Sequence, residues 1–258
     1  MWFDEIMDDC KQALFTANKY KGIFIPIFLK LALSLAIGIF VVVSIIGGIA
    51  RHRYILDYVF TDSWAMMEVL PGVLLSGLIL YLLVLVGHSI IDVGSINMFK
   101  QALNGQKPTF KDFGEGIKHY LLKVLLGKLF LHVLILIASP IWICLYLLYA
   151  VLVGTLTAGW GIIFLAVAVS VFLGTWISIT VLEGSSPLTA ISKSLRLGKR
   201  YFKGLFVVIL ASSLISSYSV SIFGILAAVV GGWFIAGVVS TYFRLVILKI
   251  YYRNKEAL

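Results

Sequence analysis

The chain alternates between long apolar runs and short, polar, basic segments. Stretches without Asp, Glu, Lys, Arg or His cover residues 31–50, 69–87, 133–182 and 204–243. A membrane crossing needs about 20 apolar residues in a helix rising 1.5 Å per residue. The first two runs therefore predict one span each and the last two predict two spans each. Turn-forming residues interrupt the double runs. Val153–Gly161 (VGTLTAGWG) divides one, and the Ser-rich run Ser216–Ser221 with Gly224 divides the other. The pattern predicts a single all-α domain over 1–258 with six spans, at 22–49, 68–98, 120–152, 160–183, 203–221 and 225–250. The runs are continuously apolar, without the period-two alternation of a β-barrel.

Between the runs the period changes to that of an amphipathic helix. Phe3, Ile6, Met7, Cys10, Ala13, Leu14 and Ala17 form one apolar stripe. Phe110, Phe113, Ile117 and Leu121 form a second, after Thr109 as N-cap with Asp112 three residues on. Leu188, Ile191, Leu195 and Phe202 form a third, with Ser186 as cap and Pro187 at the first helical position. These stripes predict interfacial helices over 3–17, 109–119 and 187–202, each leading into a hairpin of two spans. The joints resemble one another: Lys21-Gly22-Ile23-Phe24, Lys203-Gly204-Leu205-Phe206 and, more distantly, Gly127-Lys128-Leu129-Phe130. The expected plan is three copies of one unit, an interfacial helix followed by a span out and a span back.

Charge sets the orientation. Of the 21 Lys and Arg residues, all but Arg51 and Arg53 fall on one side of this six-span plan. Basic residues concentrate in cytoplasmic segments, so both termini are expected in the cytoplasm. The acidic start, MWFDEIMDDC, lacks the basic region of a cleavable signal, and the first span is expected to serve as the insertion signal. Composition agrees: 258 residues, 61% hydrophobic and 13% charged, with a mean hydropathy of +1.04. Soluble chains are roughly 45–50% apolar and about 25% charged. A soluble enzyme, a disulfide scaffold and a disordered regulator are excluded. The two cysteines, Cys10 and Cys144, fall in a cytoplasmic segment and a span, so no disulfide is expected.

Small residues recur every four positions in two spans: Ala166, Ser170, Gly174 and Ser178 in the fourth, and Ala228, Gly232, Ala236 and Ser240 in the sixth. That spacing keeps them on one helix face and allows close helix packing. Gly72 and Ser76 form a shorter version in the second span. The second, fourth and sixth spans are expected to form an inner ring.

The segment from Val181 to Phe202, with Glu183-Gly184-Ser185-Ser186-Pro187 at its start, resembles one that recurs in uncharacterised bacterial six-span membrane proteins. So does the segment from Gly94 through Lys107-Pro108-Thr109-Phe110 and Asp112-Phe113 to Tyr120. The family includes the membrane domain attached to some glycerophosphodiester phosphodiesterases and the stand-alone YciC-type proteins. The resemblance implies a six-span fold in a bacterial plasma membrane. It brings no catalytic residues and no phosphodiesterase domain.

Ionisable residues at membrane depth are the candidate site. His88 and Asp92 share a face of the second span, and Lys128 and His132 share a face of the third. With Glu183, Arg244 and Lys30 they fall toward the cytoplasmic half. One reading makes them helix ends that snorkel to the headgroups; a second makes them a polar cavity for a ligand or lipid headgroup. A third, a hydrolase or metal site, requires His88, Asp92 and His132 to converge. No H-E-x-x-H, nucleophile-elbow or P-loop motif is present. No cofactor, metal or nucleic acid is expected. Lys193, Arg196, Lys199, Arg200 and Lys203 are the expected contacts to anionic phospholipids. The expected function is non-enzymatic: lipid contact, or a scaffold for other membrane proteins. The alternative is a permease-like subunit driven by a separate ATPase.

Overall fold

The computed structural model describes residues 2–51, 63–222 and 233–257. Every element among them is helical. Helix α1 is Trp2–Lys19, and a 3-10 turn over Lys21–Phe24 leads into α2, Ile25–Arg51. Helix α3 is Ser63–Leu103 and α4 is Phe110–Val153. Helices α5 and α6 are Thr155–Leu173 and Trp176–Glu183. Helix α7 is Pro187–Arg200, α8 is Phe202–Ile222 and α9 is Trp233–Asn254. Among the described residues, five apolar segments are long enough to cross a membrane: Lys21–Ser44, Leu70–Leu103, Phe110–Leu152, Phe164–Glu183 and Phe234–Asn254. Helix α8 is apolar over Phe202–Ser216. The chain is an all-α, multi-pass type of protein by the length and composition of these helices.

Three boundaries differ from the sequence pattern. The expected interfacial helix at 109–119 is not separate from the third span. It is the first part of α4, which runs unbroken for 44 residues, or about 66 Å against a hydrocarbon core of about 30 Å. Its start is as expected: Thr109 accepts from the Asp112 N–H, and the Asp112 carboxylate accepts from the Thr109 N–H at 2.7 Å. The break expected over 153–161 is instead Gly154 alone, at φ +92 and ψ 153, a conformation that an L side chain rarely adopts. The fourth span is broken at Gly174-Thr175 into α5 and α6. The three joints also differ: Lys21–Phe24 is a 3-10 turn, while Lys203–Phe206 and Gly127–Phe130 are helical.

Buried side chains gather at one end of the bundle, around Phe99, Val124, Ile179, Leu197, Leu205 and Tyr251. The long helices leave it with apolar side chains exposed: Leu136, Ile141 and Val151 on α4 are 71%, 65% and 83% exposed. Such exposure all around a helix suits lipid as solvent.

The two helices expected to be interfacial, α1 and α7, dock in an unexpected sense. On α7 the buried residues are Ala190, Ser194, Leu197 and Gly198, while Leu188 and Leu195 of the expected stripe face outward. On α1, Ile6, Asp9, Ala13, Thr16 and Ala17 face the protein, and Phe3, Met7 and Leu14 face outward. Small side chains allow the helix backbone to approach the core, so part of each large apolar row is left for the surroundings.

Close helix approach occurs at glycines other than those of the four-residue stripes. A Cβ on Gly94 would lie 2.3 Å from the Phe113 ring, and one on Gly116 would lie 2.7 Å from Asn97 Cβ. Gly127 faces Trp176, Gly198 faces Phe172, and Gly237 faces Ile27. The expected packing stripe on the fourth span does not serve that role. Ala166, Ser170 and Gly174 are exposed, Ser178 is half-buried, and a Cβ on Gly174 would meet only the Ser170 backbone. In the stripe expected on the sixth span, Ala236 and Ser240 on α9 are half-buried, and Ala228 and Gly232 lie outside the described residues.

Candidate functional site

The centre of the bundle is held by charge. Asp92 on α3 accepts from Lys128 Nζ of α4 at 2.8 Å and from Arg244 Nη1 of α9 at 2.8 Å. The Asp92 and Lys128 side chains are 16% and 12% exposed, and that of Arg244 is 42% exposed. A carboxylate at membrane depth needs such partners, because lipid offers it no hydrogen bonds. Two small cavities flank the Asp92–Arg244 pair. One, of about 40 Å³, is lined by residues of α2, α3 and α9 that include Lys30, His88, Ser240 and Thr241. The other, of about 60 Å³, is lined by Ile96, Gly174, Ile177 and Ser178 among others. Gly174 and Ser178 of the small-residue stripe thus border the charged centre.

The break in the fourth span has its own lock. The Phe172 carbonyl, which the Trp176 N–H would take in a continuous helix, accepts from Ser194 Oγ of α7 at 2.6 Å. The Thr175 and Ser194 hydroxyls meet at 2.7 Å, with Thr175 as donor once the Ser194 proton is given to Phe172. Both side chains are buried. A broken helix is tolerated inside a membrane where its freed backbone groups find partners in the protein.

Two of the expected cluster residues stand elsewhere. Glu183 does not reach Asp92; its carboxylate accepts from Lys193 Nζ at 2.6 Å and from the Tyr251 hydroxyl. The sequence pattern places Glu183 at the exit of the fourth span, and the turn at Gly184, φ +69, swings α7 back so that Lys193 reaches it. His132 is exposed, with Nδ1 2.7 Å from the Lys128 carbonyl of its own helix and its ring against Tyr81. The set His88, Asp92 and His132 does not converge, and no group of three or more His, Cys, Asp or Glu that could hold a metal occurs among the described residues.

The basic set divides as well. Lys193 is paired with Glu183. Arg196 is exposed on α7. Lys199, Arg200 and Lys203 line a hollow of about 350 Å³ whose walls include Ile6, Leu205 and Ile250. Arg253 also lines it, tied to Glu5 at 3.3 Å and Asp9 at 3.0 Å. The hollow is invisible in the sequence because its parts come from α1, the α7–α8 joint and the end of α9. Burial pushes the Asp9 carboxyl up from its ordinary value, against the opposing pull of Arg253.

No protein-family model, no curated protein and no solved structure matches the chain.

Proposed function

We propose that the chain is a six-span protein of the bacterial plasma membrane, related to the YciC-type family, with both termini cytoplasmic, that acts through anionic phospholipids of the cytoplasmic leaflet. The observation that carries this reading is the hollow beside Lys199, Arg200 and Lys203. It pairs an apolar wall for the glycerol and upper acyl carbons with cationic side chains for a phosphate. The outward apolar rows of α1 and α7, Phe3, Met7 and Leu14 and then Leu188 and Leu195, support it, because they suit helices lying in the headgroup plane. Helix α8 supplies the fifth of the six spans, and three hairpins, each preceded by an amphipathic segment that in α4 is continuous with its span, make up the chain. No reaction is assigned, and the protein works as a lipid-bound scaffold for other membrane components.

Lipid retention tests this. The protein in nanodiscs of mixed phosphatidylglycerol and phosphatidylcholine is released into gentle detergent and analysed by native mass spectrometry. Wild type is expected to retain phosphatidylglycerol in preference, and Lys199→Gln with Lys203→Gln to lose that preference. Equal retention of both lipids by wild type would overturn the reading. The broken fourth span favours a second reading, a permease-like subunit driven by a separate ATPase, since discontinuous helices line the substrate sites of many transporters. Co-purification of an ATPase whose turnover requires this chain would decide for it.

A further inference from the structure

We infer that the cavity between α2, α3 and α9 is a binding site for a small inorganic anion of the halide class, held by Lys30 and Arg244. Three cationic side chains gather around one carboxylate: Lys128 and Arg244 pair with Asp92 at 2.8 Å each, and Lys30 lines the same cavity as Asp92 and Arg244. Asp92 is engaged by Lys128 on one oxygen and Arg244 on the other. Lys30 borders the same cavity and has no ion-pair partner among the described residues. It lies nine residues beyond Lys21, the start of the apolar segment, or about 13 Å along the helix.

The remaining lining supplies donors. Arg244 gives one Nη1 bond to Asp92, leaving further N–H groups of its five-donor guanidinium. Ser240 and Thr241 bring hydroxyls, and His88 brings a ring N–H. Excess positive charge and excess donors in one low-dielectric space favour an anion there and disfavour a cation. Size selects among anions. The cavity measures about 40 Å³, whereas one water needs about 10–15 Å³ on the same measure. A halide with a water fits, and a phosphate diester with its glycerol and headgroup does not. The site is therefore distinct from the larger hollow at Lys199 and Lys203, and a lipid there does not fill it.

Halide-dependent stability tests the inference. The full chain, purified in a neutral detergent, is unfolded thermally in sodium chloride, sodium bromide, sodium gluconate and sodium phosphate at equal ionic strength. A ligand that binds only the folded state raises the midpoint with its concentration. Chloride and bromide are expected to raise the midpoint saturably, and gluconate and phosphate not to. Lys30→Met is expected to weaken apparent chloride affinity at least tenfold, while Lys30→Arg retains it. Should Lys30→Met fail to fold, bromide located by anomalous scattering in crystals of wild type gives the same decision, with density expected between Lys30 and Arg244. Equal midpoints in chloride and gluconate would overturn the inference, as would a Lys30→Met variant with unchanged chloride response. Phosphate stabilising more strongly than chloride, with loss of that effect in Lys30→Met, would overturn the assignment to a halide.

Discussion

Arg244, ten residues before the end of the last helix, reaches the Asp92 carboxylate of α3 at 2.8 Å. With Lys128 on the other oxygen, this carboxylate joins three helices at one point. Asp92→Ala therefore strands Lys128 and Arg244 at membrane depth. A cost of about 2–3 kcal/mol is expected, below the about 3–5 kcal/mol of a fully buried pair, because Arg244 retains partial exposure. Combining Asp92→Leu with Lys128→Met and Arg244→Leu should recover part of that loss. Unfolding midpoints in detergent check both, and a neutral Asp92→Ala would show that the three helices are held without the charges.

Gly94 and Gly72 occupy the same helix with opposite surroundings. A side chain at Gly94 collides with the Phe113 ring, and one at Gly72 meets nothing within 4 Å. Gly94→Leu is expected to cost at least the about 1–3 kcal/mol typical of overpacking, and Gly72→Leu to be close to neutral. Thermal unfolding of the two variants side by side provides the comparison. Equal stability would place the α3–α4 contact elsewhere.

Ser194→Ala removes the donor that satisfies the Phe172 carbonyl at the helix break. An unsatisfied buried carbonyl costs about 1–3 kcal/mol. The loss should be local, so hydrogen exchange is expected to rise in α7 and around 172–176 before the rest of the bundle responds. Uniform exchange throughout would contradict a lock at this position.

Asp9 sets a pH response. Burial raises its folded-state pKa above the ordinary carboxylate value, so the folded protein binds the proton more tightly than the unfolded chain. The stabilisation from this group is fully present below the ordinary value and is lost as pH rises through the folded one. The stability of wild type relative to Asp9→Asn should therefore fall as pH rises through the carboxylate range. Unfolding midpoints of both proteins at matched ionic strength, from acid to neutral pH, measure the slope. A flat difference would show that Arg253 fully offsets the burial.

Orientation has its own test. Reporters fused after Lys107 and Ser194 are expected in the cytoplasm, and one at Thr61, outside the described residues, on the far side. An external signal from either of the first two would break the six-span plan.

The apolar runs and the basic segments were enough to predict an all-helical, multi-pass chain, because a bilayer demands about 20 apolar residues per crossing and a polar break between crossings. Helix starts with a local chemical cause were equally readable: Thr109 with Asp112, and Ser186 before Pro187. The pairing of Asp92 was legible in the sequence, since a charge at depth needs a partner and Lys128 or Arg244 was the expected one; the structure pairs it with both. What only tertiary structure decided depends on where helices meet. Small residues at every fourth position imply one face, not what faces it, so Gly174 came to lie beside the charged cavity while Gly94 and Gly116 carry the close contact. Amphipathic periodicity defines an apolar stripe but not how docking rotates it, and α7 turned Ala190, Ser194 and Gly198 inward instead of Leu188 and Leu195. Glu183 left the central cluster for the same reason: the turn at Gly184 brings Lys193 within 2.6 Å, and proximity in space, which a one-dimensional pattern does not contain, determines which charges pair.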